Sequence, residues 1–329
     1  MEHLIGQLRA AGDTTRLRLL LLLREAELTV SELTQILGQS QPRVSRHLKL
    51  LCAAGLLERF KEGSWVFYRA AERGDGVVLV RTLGAMADAE NTVLAHDRQR
   101  LAAVRAARAA TASAYFKANA PRWERIRSLH VPEREVESAI IRLLGHDALE
   151  SVLDAGTGTG RMLELLAPHI KRGVGVDVSP EMLAIARDRL ARSGVSHCQV
   201  RMGDVYRLPF LEGGRHEMFD AAIFHQVLHY LDDPQAALRE AMRVLKSGGR
   251  ILIADFAPHQ LEFLRRDHAH RRLGFSDREV QGWFKVAGLK SLAVEQLGPR
   301  SDDERLTVMV WLASTPAKPS RSRDLEAAA

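Results

Sequence analysis

Over the first 70 residues, apolar positions recur three and four apart in short runs broken by brief polar turns, the period of small amphipathic helices. Thr29–Leu37 is one run; Gly38 and Gln39 break it, and Ser40 opens another. Ser40 suits an N-cap and Pro42 the first helical turn, where a missing N–H costs nothing. In this second helix Val44, Leu48 and Leu51 fall at i, i+4 and i+7 and define a core face. Leu56–Lys61 and Trp65–Arg69 flank the turn Glu62-Gly63-Ser64, which predicts a two-stranded hairpin. From Val77 to Ala110, the residues Leu79, Leu83, Met86, Leu94, Leu101 and Val104 fit a seam with a period near ~3.5, broken by Glu90 and Asp97. That pattern predicts one long helix packed on a partner, followed by a connector over 111–135 containing Pro121 and Pro132.

Beyond Val136 the pattern becomes strand, Gly-rich turn, helix, repeated at Ser151–Ala155, Gly173–Val178, Ala221–His225 and Arg250–Phe256, with a further strand ending at Gly203-Asp204. This alternation predicts a mostly parallel sheet with covering helices. The expected fold class is α/β: a mostly helical, winged helix-turn-helix N-terminal part and a Rossmann-like C-terminal part. The expected divisions are 1–75 (helix-turn-helix and wing), 76–135 (dimerisation helix and connector), 136–314 (cofactor domain) and 315–329 (disordered tail, its last residues similar to a cloning scar).

A length of 329 residues agrees with two domains. No apolar run approaches the roughly 18 residues of a membrane span, and the first residues lack a signal-peptide layout, so no membrane partner and a cytoplasmic location are expected. Cys52 and Cys198 make no disulfide framework. Charge divides unevenly. Residues 1–130 hold 20 Lys and Arg against 13 Asp and Glu, whereas the remainder holds 27 against 28. A basic half beside a neutral half suggests nucleic-acid contact, although a solvated Arg-rich surface has the same charge.

The second short helix supplies the missing specificity. Gln41, Arg43, Ser45, Arg46 and Lys49 point away from its core face with no acidic residue among them, and His47 is counted with them as a DNA contact. Arg can bond guanine bidentately, Gln can bond adenine, and Ser or Lys can hold phosphate. The hairpin that follows reads as a wing, with Arg59, Lys61 and Arg69 for the DNA backbone. The segments Gly12–Leu20 and Ser40–Lys49, followed by Ala54-Gly55-Leu56-Leu57, resemble the arsenic-repressor-type (ArsR) winged-helix regulators over roughly residues 1–110. The resemblance implies a homodimer built on the first and last helices of the domain, and a double-stranded DNA operator as partner. Many members sense metals through Cys-x-Cys. Here that stretch is Glu27–Leu33 without a thiolate, and His96, Asp88 and Asp97 are too few for a site on the long helix, so no metal is expected.

In the second half, Val152-Leu153-Asp154-Ala155-Gly156-Thr157-Gly158-Thr159-Gly160 is an apolar strand entering a Gly-rich turn, with a helix beyond it. Such a turn lets a ligand approach the backbone and presents the positive end of a helix. Asp177 ends the next strand, where a carboxylate can take both ribose hydroxyls. NAD is one candidate, but its Gly-x-Gly-x-x-Gly pattern requires Gly where Arg161 stands. The spacing, together with Gly175–Leu183, Gly203-Asp204-Val205, Leu208-Pro209-Phe210, Phe219–Ile223, Leu228-His229-Tyr230 and Leu245–Gly249, resembles class I S-adenosylmethionine (SAM) dependent methyltransferases. The closest likeness is to the ubiquinone-biosynthesis-type branch. That resemblance implies SAM as cofactor, with S-adenosylhomocysteine (SAH) as product or effector. Asp154, Gly156, Gly158 and Gly160 would hold the methionine end. Asp177 would bond the ribose, Met182 would cover adenine, and Asp204 with Val205 would read its amino edge. His225 and Gln226 would line the floor. Helix capping and turn chemistry offer Asp177 and Asp204 another role.

Methyl transfer is an in-line displacement that needs positioning more than a fixed catalytic residue. His225, His229 and Tyr230 are the candidates for taking a proton from an unidentified small-molecule acceptor. Tyr115, Phe116 and Trp123–Arg127 are candidates to close over the cofactor, with Arg125 or Arg127 on its carboxylate, and Leu261–Arg272 to wall an acceptor pocket. Three readings follow: a DNA-binding regulator with methyltransferase competence, a small-molecule methyltransferase that uses its N-terminal part for dimerisation, and a sensor of SAM or SAH without turnover. The outward face of the second helix favours the first and third.

Overall fold

The computed structural model describes residues 2–62, 65–71, 74–87, 91–120, 133–145, 149–210, 219–298 and 306–316. The chain divides into two compact units. One takes Met1–Ala112 with Gln260–Asp267, and the other takes the described residues from Ser113 to His259 and from His268 onward.

The first unit begins with α1 (Glu2–Ala11) and α2 (Thr14–Glu25), followed by a short strand β1 (Leu28–Thr29). Next come α3 (Val30–Leu37), α4 (Gln41–Ala53), the hairpin strands β2 (Leu57–Glu62) and β3 (Trp65–Ala70), α5 (Gly76–Met86) and α6 (Thr92–Asn119). Local chemistry fixes most of the boundaries. The Asp13 side chain caps α2 by accepting from Arg16 N at 3.0 Å, and this bond holds the carboxyl below its ordinary pKa. Thr29 and Glu32 form a reciprocal capping box at the start of α3, and Gly38, at φ +65°, ends that helix in the left-handed conformation. Val44, Leu48 and Leu51 are buried with Leu19, Leu33 and Ile36 in one core, as the periodicity predicts. The sheet is antiparallel in the order β1-β3-β2.

Three expectations need correction here. Val77–Ala110 is not one helix: α5 ends at Met86 and α6 begins at Thr92, where the Asn91 side chain accepts from the N–H groups of Val93 and Leu94. Helix α6 then runs to Asn119, through part of the expected connector. Ser40 stands at the N-cap of α4 but makes no side-chain cap bond.

Asp97, which breaks the apolar seam in sequence, turns inward. It is 3% exposed, and its two oxygens meet the Arg18 guanidinium at 2.6 Å each. The same helix fastens α3 and α2 by their C-terminal carbonyls, through Arg100 to Ile36 O at 2.8 Å and Arg105 to Glu25 O.

The second unit opens with α7 (Glu133–Leu144) and alternates β4 (Leu149–Ala155), α8 (Arg161–Leu166), β5 (Ile170–Asp177), α9 (Pro180–Arg192), β6 (Cys198–Met202), β7 (Phe219–His225), α10 (Pro234–Arg243) and β8 (Leu245–Phe256). A short 3-10 turn, Leu228–Tyr230, follows β7. Helix α11 (Phe263–His268) belongs to the first unit but for its last residue, and the second continues with α12 (Asp277–Ala287), β9 (Lys290–Leu297) and β10 (Val308–Ser314). The seven-stranded sheet has the order β6-β5-β4-β7-β8-β10-β9. It is parallel from β6 to β8, and β10 lies antiparallel between β8 and β9. Its central strands are nearly continuous apolar runs, as burial of both sheet faces requires. The mostly parallel sheet agrees with the expected fold class. The β9–β10 pair went unread in the sequence, although Val308–Leu312 is an uninterrupted apolar run.

Chain direction across this sheet places the site. From β4 the chain builds outward through β5 to β6, then returns to the other side of β4 for β7 and β8. The order therefore reverses between β4 and β7, and the carboxyl ends of these two parallel strands flank a crevice. The tail 317–329 and the segment 121–132 lie outside the described residues.

Replacing Asp97 by Ala is expected to cost about 1–3 kcal/mol, because it leaves the half-buried guanidinium of Arg18 without its partner. Urea unfolding checks this. The double variant Arg18→Met, Asp97→Leu should recover most of the loss, and an unchanged midpoint in Asp97→Ala would contradict the assignment.

Candidate functional site

One wall of the crevice is the turn after β4. Gly156, Gly158 and Gly160 all have positive φ (+77°, +52° and +78°), so the turn coils tightly between strand and helix. At Gly156 the constraint is double: a Cβ there would lie 2.4 Å from Cγ2 of Val227, on the opposite wall. Gly156 N and Thr157 N both donate to Val176 O, tying the turn to β5.

Asp154 is 1% exposed and accepts from the Thr157 hydroxyl at 2.6 Å. It braces the turn from inside, where the sequence had assigned it to the methionine end of a ligand. Arg161, at the position NAD proteins require to be Gly, pairs with Glu137 at 2.7 and 2.8 Å and with Glu164 at 2.9 Å. These carboxylates raise its pKa further and fasten α7 to α8.

Asp177 ends β5 half-buried. One carboxylate oxygen accepts from Gly158 N at 2.8 Å and the other from Ser179 N at 2.9 Å. Burial raises its pKa above the ordinary Asp value, opposed by these backbone donors. This one side chain therefore links the Gly-rich turn to Ser179, the N-cap of α9. Asp204 is exposed beyond β6, and one oxygen is engaged by Tyr206 N at 2.9 Å. Val205 is buried in the core of the unit.

Met182 was expected to cover an adenine face. Its side chain is 2% exposed and packs inside the unit. The apolar side chains that stand free at this edge are Val178, 56% exposed, and Met202, 66% exposed. They follow and precede the acidic positions Asp177 and Asp204, respectively, with Gly203 between Met202 and Asp204. The signal was legible: an apolar residue at the solvent end of a strand, next to an acidic position.

On the other wall, His225 is half-buried at the end of β7 and Gln226 is buried at φ +51°, an uncommon conformation for a residue other than glycine. His229 is fully packed, with Nδ1 2.7 Å from Asp255 Oδ1. Tyr230 packs tilted beside it at 4.1 Å between ring centroids and meets Phe116 edge-on at 4.7 Å. The sequence reading missed Asp255, which sits near the end of an apolar strand without a motif around it. Trp123–Arg127 and the side chain of Tyr115 lie outside the described residues.

In the first unit, Gln41, Arg43, Arg46 and Lys49 are exposed along α4, and Ser45 is half-buried. His47 turns back toward Asp13, with Nδ1 at 3.8 Å from Oδ1. Arg59 and Lys61 are exposed on β2, two residues apart and on one face. Arg69 instead holds Glu58 at 3.0 Å and Glu27 at 3.3 Å, and covers the Phe60 ring. Its charge is spent inside the unit, which removes it from the row of cations the wing displays. Gly63 and Ser64 lie outside the described residues. No group that could hold a metal ion occurs among the described residues, nor any helix long and apolar enough to cross a membrane.

Comparison with known proteins gives these two regions a class. Residues 13–59 match the family of bacterial regulatory proteins of the arsR family, and residues 153–253 match the methyltransferase domain family. The chain thus carries an arsR-family helix-turn-helix and a methyltransferase domain. Among its relatives, an uncharacterised methyltransferase, YcgJ of Bacillus subtilis, is 33% identical over 44% of this chain and 58% of its own length. A demethylmenaquinone methyltransferase of Tropheryma whipplei is 37% identical over 36% of this chain and 47% of its own. The chain spans about half the length of these curated relatives. A chain in the complex between the Haloferax volcanii Trm112 methyltransferase activator and a putative methyltransferase shares the fold. It has a TM-score of 0.51 and 24% identity, over 63% of this chain and 98% of that one.

Gly156→Ala is expected to cost about 1–2 kcal/mol from its left-handed backbone alone, with the contact to Val227 added. Adding Val227→Ala should return the contact but not the backbone penalty. Thermal melting of the two variants checks this, and a neutral Gly156→Ala would contradict the geometry of the turn.

Proposed function

We propose that this chain is a DNA-binding transcriptional regulator whose methyltransferase domain binds SAM and SAH, one ligand per subunit, and that the adenosyl ligand controls operator binding. The observation that carries the reading is the switch-point crevice, present on the same chain as the exposed cationic face of α4.

The residues at the crevice fit an adenosyl ligand. The carboxylate of Asp177 suits a ribose diol. Val178 and Met202 give apolar cover for a purine, Asp204 suits its amino edge, and the Gly156–Gly160 backbone admits a close approach. When bound, SAM would supply an activated methyl group. The chain's own part is to hold and orient it, with His225 and Gln226 toward the floor, and to accept a proton from the acceptor. The demethylmenaquinone methyltransferase relative supports methyl transfer to a small molecule as a retained capability.

On the DNA side, Gln41, Arg43, Ser45, Arg46 and Lys49 would enter a major groove while Arg59 and Lys61 hold backbone phosphate. Apolar side chains exposed on α1 (Leu4, Ile5 and Leu8) and α5 (Val78 and Met86) support a homodimer that covers them. A two-fold dimer calls for a pseudo-palindromic operator with half-sites about one helical turn apart.

Two measurements test this reading. Calorimetry should show SAM and SAH binding that weakens by about 1.5–3 kcal/mol in Asp177→Ala. Binding should also weaken as pH falls through the raised pKa of Asp177, since a protonated carboxyl no longer accepts both hydroxyls. Unchanged affinity in Asp177→Ala, or tight NAD binding without SAM binding, would contradict the site. Fluorescence anisotropy on operator DNA should show affinities that differ by about five- to 150-fold between free, SAM-loaded and SAH-loaded protein. Three equal affinities would reduce the chain to an enzyme carrying a DNA-targeting domain. Arg46→Ala should weaken operator binding more than binding to random DNA, and equal loss on both would make Arg46 a phosphate contact.

A further inference from the structure

Between β8 and α12 the chain leaves the second unit and returns to it. Gln260–Asp267 belong to the first unit, whereas the residues on either side belong to the second. The ends of this excursion are drawn together within the second unit, where His259 N donates to Leu273 O at 3.0 Å and Phe275 N to Phe256 O at 2.8 Å. A loop whose ends meet in this way is an Ω-type segment. On its return, Ala269 takes φ +56°, a left-handed backbone that costs a residue with a Cβ about 1–2 kcal/mol. Such strain persists only where the surroundings over-determine the backbone, so the excursion is held rather than loose.

In the first unit the excursion takes hold of the wing. The Arg265 side chain is 5% exposed, and its guanidinium carbon lies 5.0 Å from the centre of the Trp65 ring and 5.8 Å from that of Phe67. A desolvated guanidinium over aromatic rings is attracted by their quadrupoles. Trp65 and Phe67 share one face of β3, 5.9 Å apart, and Phe67 stacks on Phe60 of β2 at 5.6 Å. The register Arg59↔Tyr68, Phe60↔Phe67, Lys61↔Val66 sets Arg59 and Lys61 on the opposite face. The excursion therefore backs the wing on the face away from these two exposed cations.

In the second unit its return is bonded to a wall of the crevice. Arg271 N and Arg272 N both donate to His229 O, at 2.9 and 3.1 Å, and the Arg271 guanidinium pairs with Asp232. His229 belongs to the 3-10 turn Leu228–Tyr230, which directly follows Val227, the residue that closes on Gly156.

We infer that residues 260–272 form a strap through which occupancy of the crevice restrains the wing. The inference rests on the reading that the crevice takes an adenosyl ligand, and it supplies a route for the control of DNA binding. A ligand seated on the Gly156–Gly160 turn restrains Val227 and the turn after it. The two bonds to His229 O carry that restraint to residues 271 and 272, and Arg265 carries it to β3, a continuous series of bonded and packed groups. Because the hold is on the far face, the wing is steadied while Arg59 and Lys61 stay available to phosphate.

Hydrogen exchange read by mass spectrometry on the full chain, with and without saturating SAH, tests this without a known acceptor or operator. In the wild-type protein SAH should slow exchange at 228–232 and 269–273, and also in β2 and β3, there by about fivefold or more, the lower end of a typical coupling between sites. In Arg265→Ala the slowing should persist at 228–232 and vanish from β2 and β3. Trp65→Leu should do the same, and since Trp65 is 45% exposed this change spares the core. Slowing at 228–232 without any in β2 and β3 of the wild-type chain, or slowing there that both variants retain, would overturn the inference and leave ligand binding intact. Failure of SAH to bind by calorimetry would overturn the parent reading, and this one with it. A slowed wing with operator affinity unchanged by SAH would support the strap and overturn only the control of DNA binding.

Discussion

Everything in the second unit depends on the reversal of strand order between β4 and β7. Parallel strands direct their carboxyl ends to one edge, and where the order reverses the connecting segments leave in opposite directions and open a gap. The gap is narrow here because Val227 lies against Gly156. That contact, with the positive φ, makes glycine obligatory at the turn. Asp177 joins the Gly-rich turn to the start of α9 through two backbone N–H groups, so one carboxylate shapes this edge of the sheet. Desolvation is the larger effect on its pKa, and a group so placed gains from polar hydrogens that replace lost water.

The first unit relies on a different constraint. Helices α1 to α5 are short, and isolated helices of this length are marginal in water. Packing therefore has to be supplemented at the ends, through Asp13, the Thr29–Glu32 box, and arginines of α6 that meet the last carbonyls of α2 and α3. The Asp97–Arg18 pair is the costliest of these to break. A buried pair of this kind adds little net stability over apolar residues, but loss of one partner leaves a charge without its counterion. It fixes α6 against α2, which carries forward to the placing of α4.

The sequence was most informative where period and motif agreed. The core face of α4 at Val44, Leu48 and Leu51, the strands ending at Ala155 and Asp177, and the Gly-rich turn follow from spacing alone. Pairwise facts that depend on tertiary contact were out of reach. Arg69 and His47 carry suitable chemistry for DNA, yet Glu58, Glu27 and Asp13 lie where only folding brings them. Met182 fits a helical apolar stripe, and periodicity cannot tell a ligand contact from a core contact. The division of 77–110 was legible in Asn91-Thr92 as a capping signal, but the continuous seam obscured it. Asp255 had no local signal, since its partner His229 is 26 residues earlier in the chain.

The proposed function places ligand recognition at the β4–β7 edge. Native mass spectrometry of the gently purified protein tests that assignment most directly, with the wild-type chain and Asp177→Ala compared under identical conditions. The account predicts an adduct of SAM or SAH, one per subunit, on the wild-type chain, and its loss or strong reduction in the variant. An adenosyl adduct retained equally by both proteins, or a dinucleotide in its place, would contradict it.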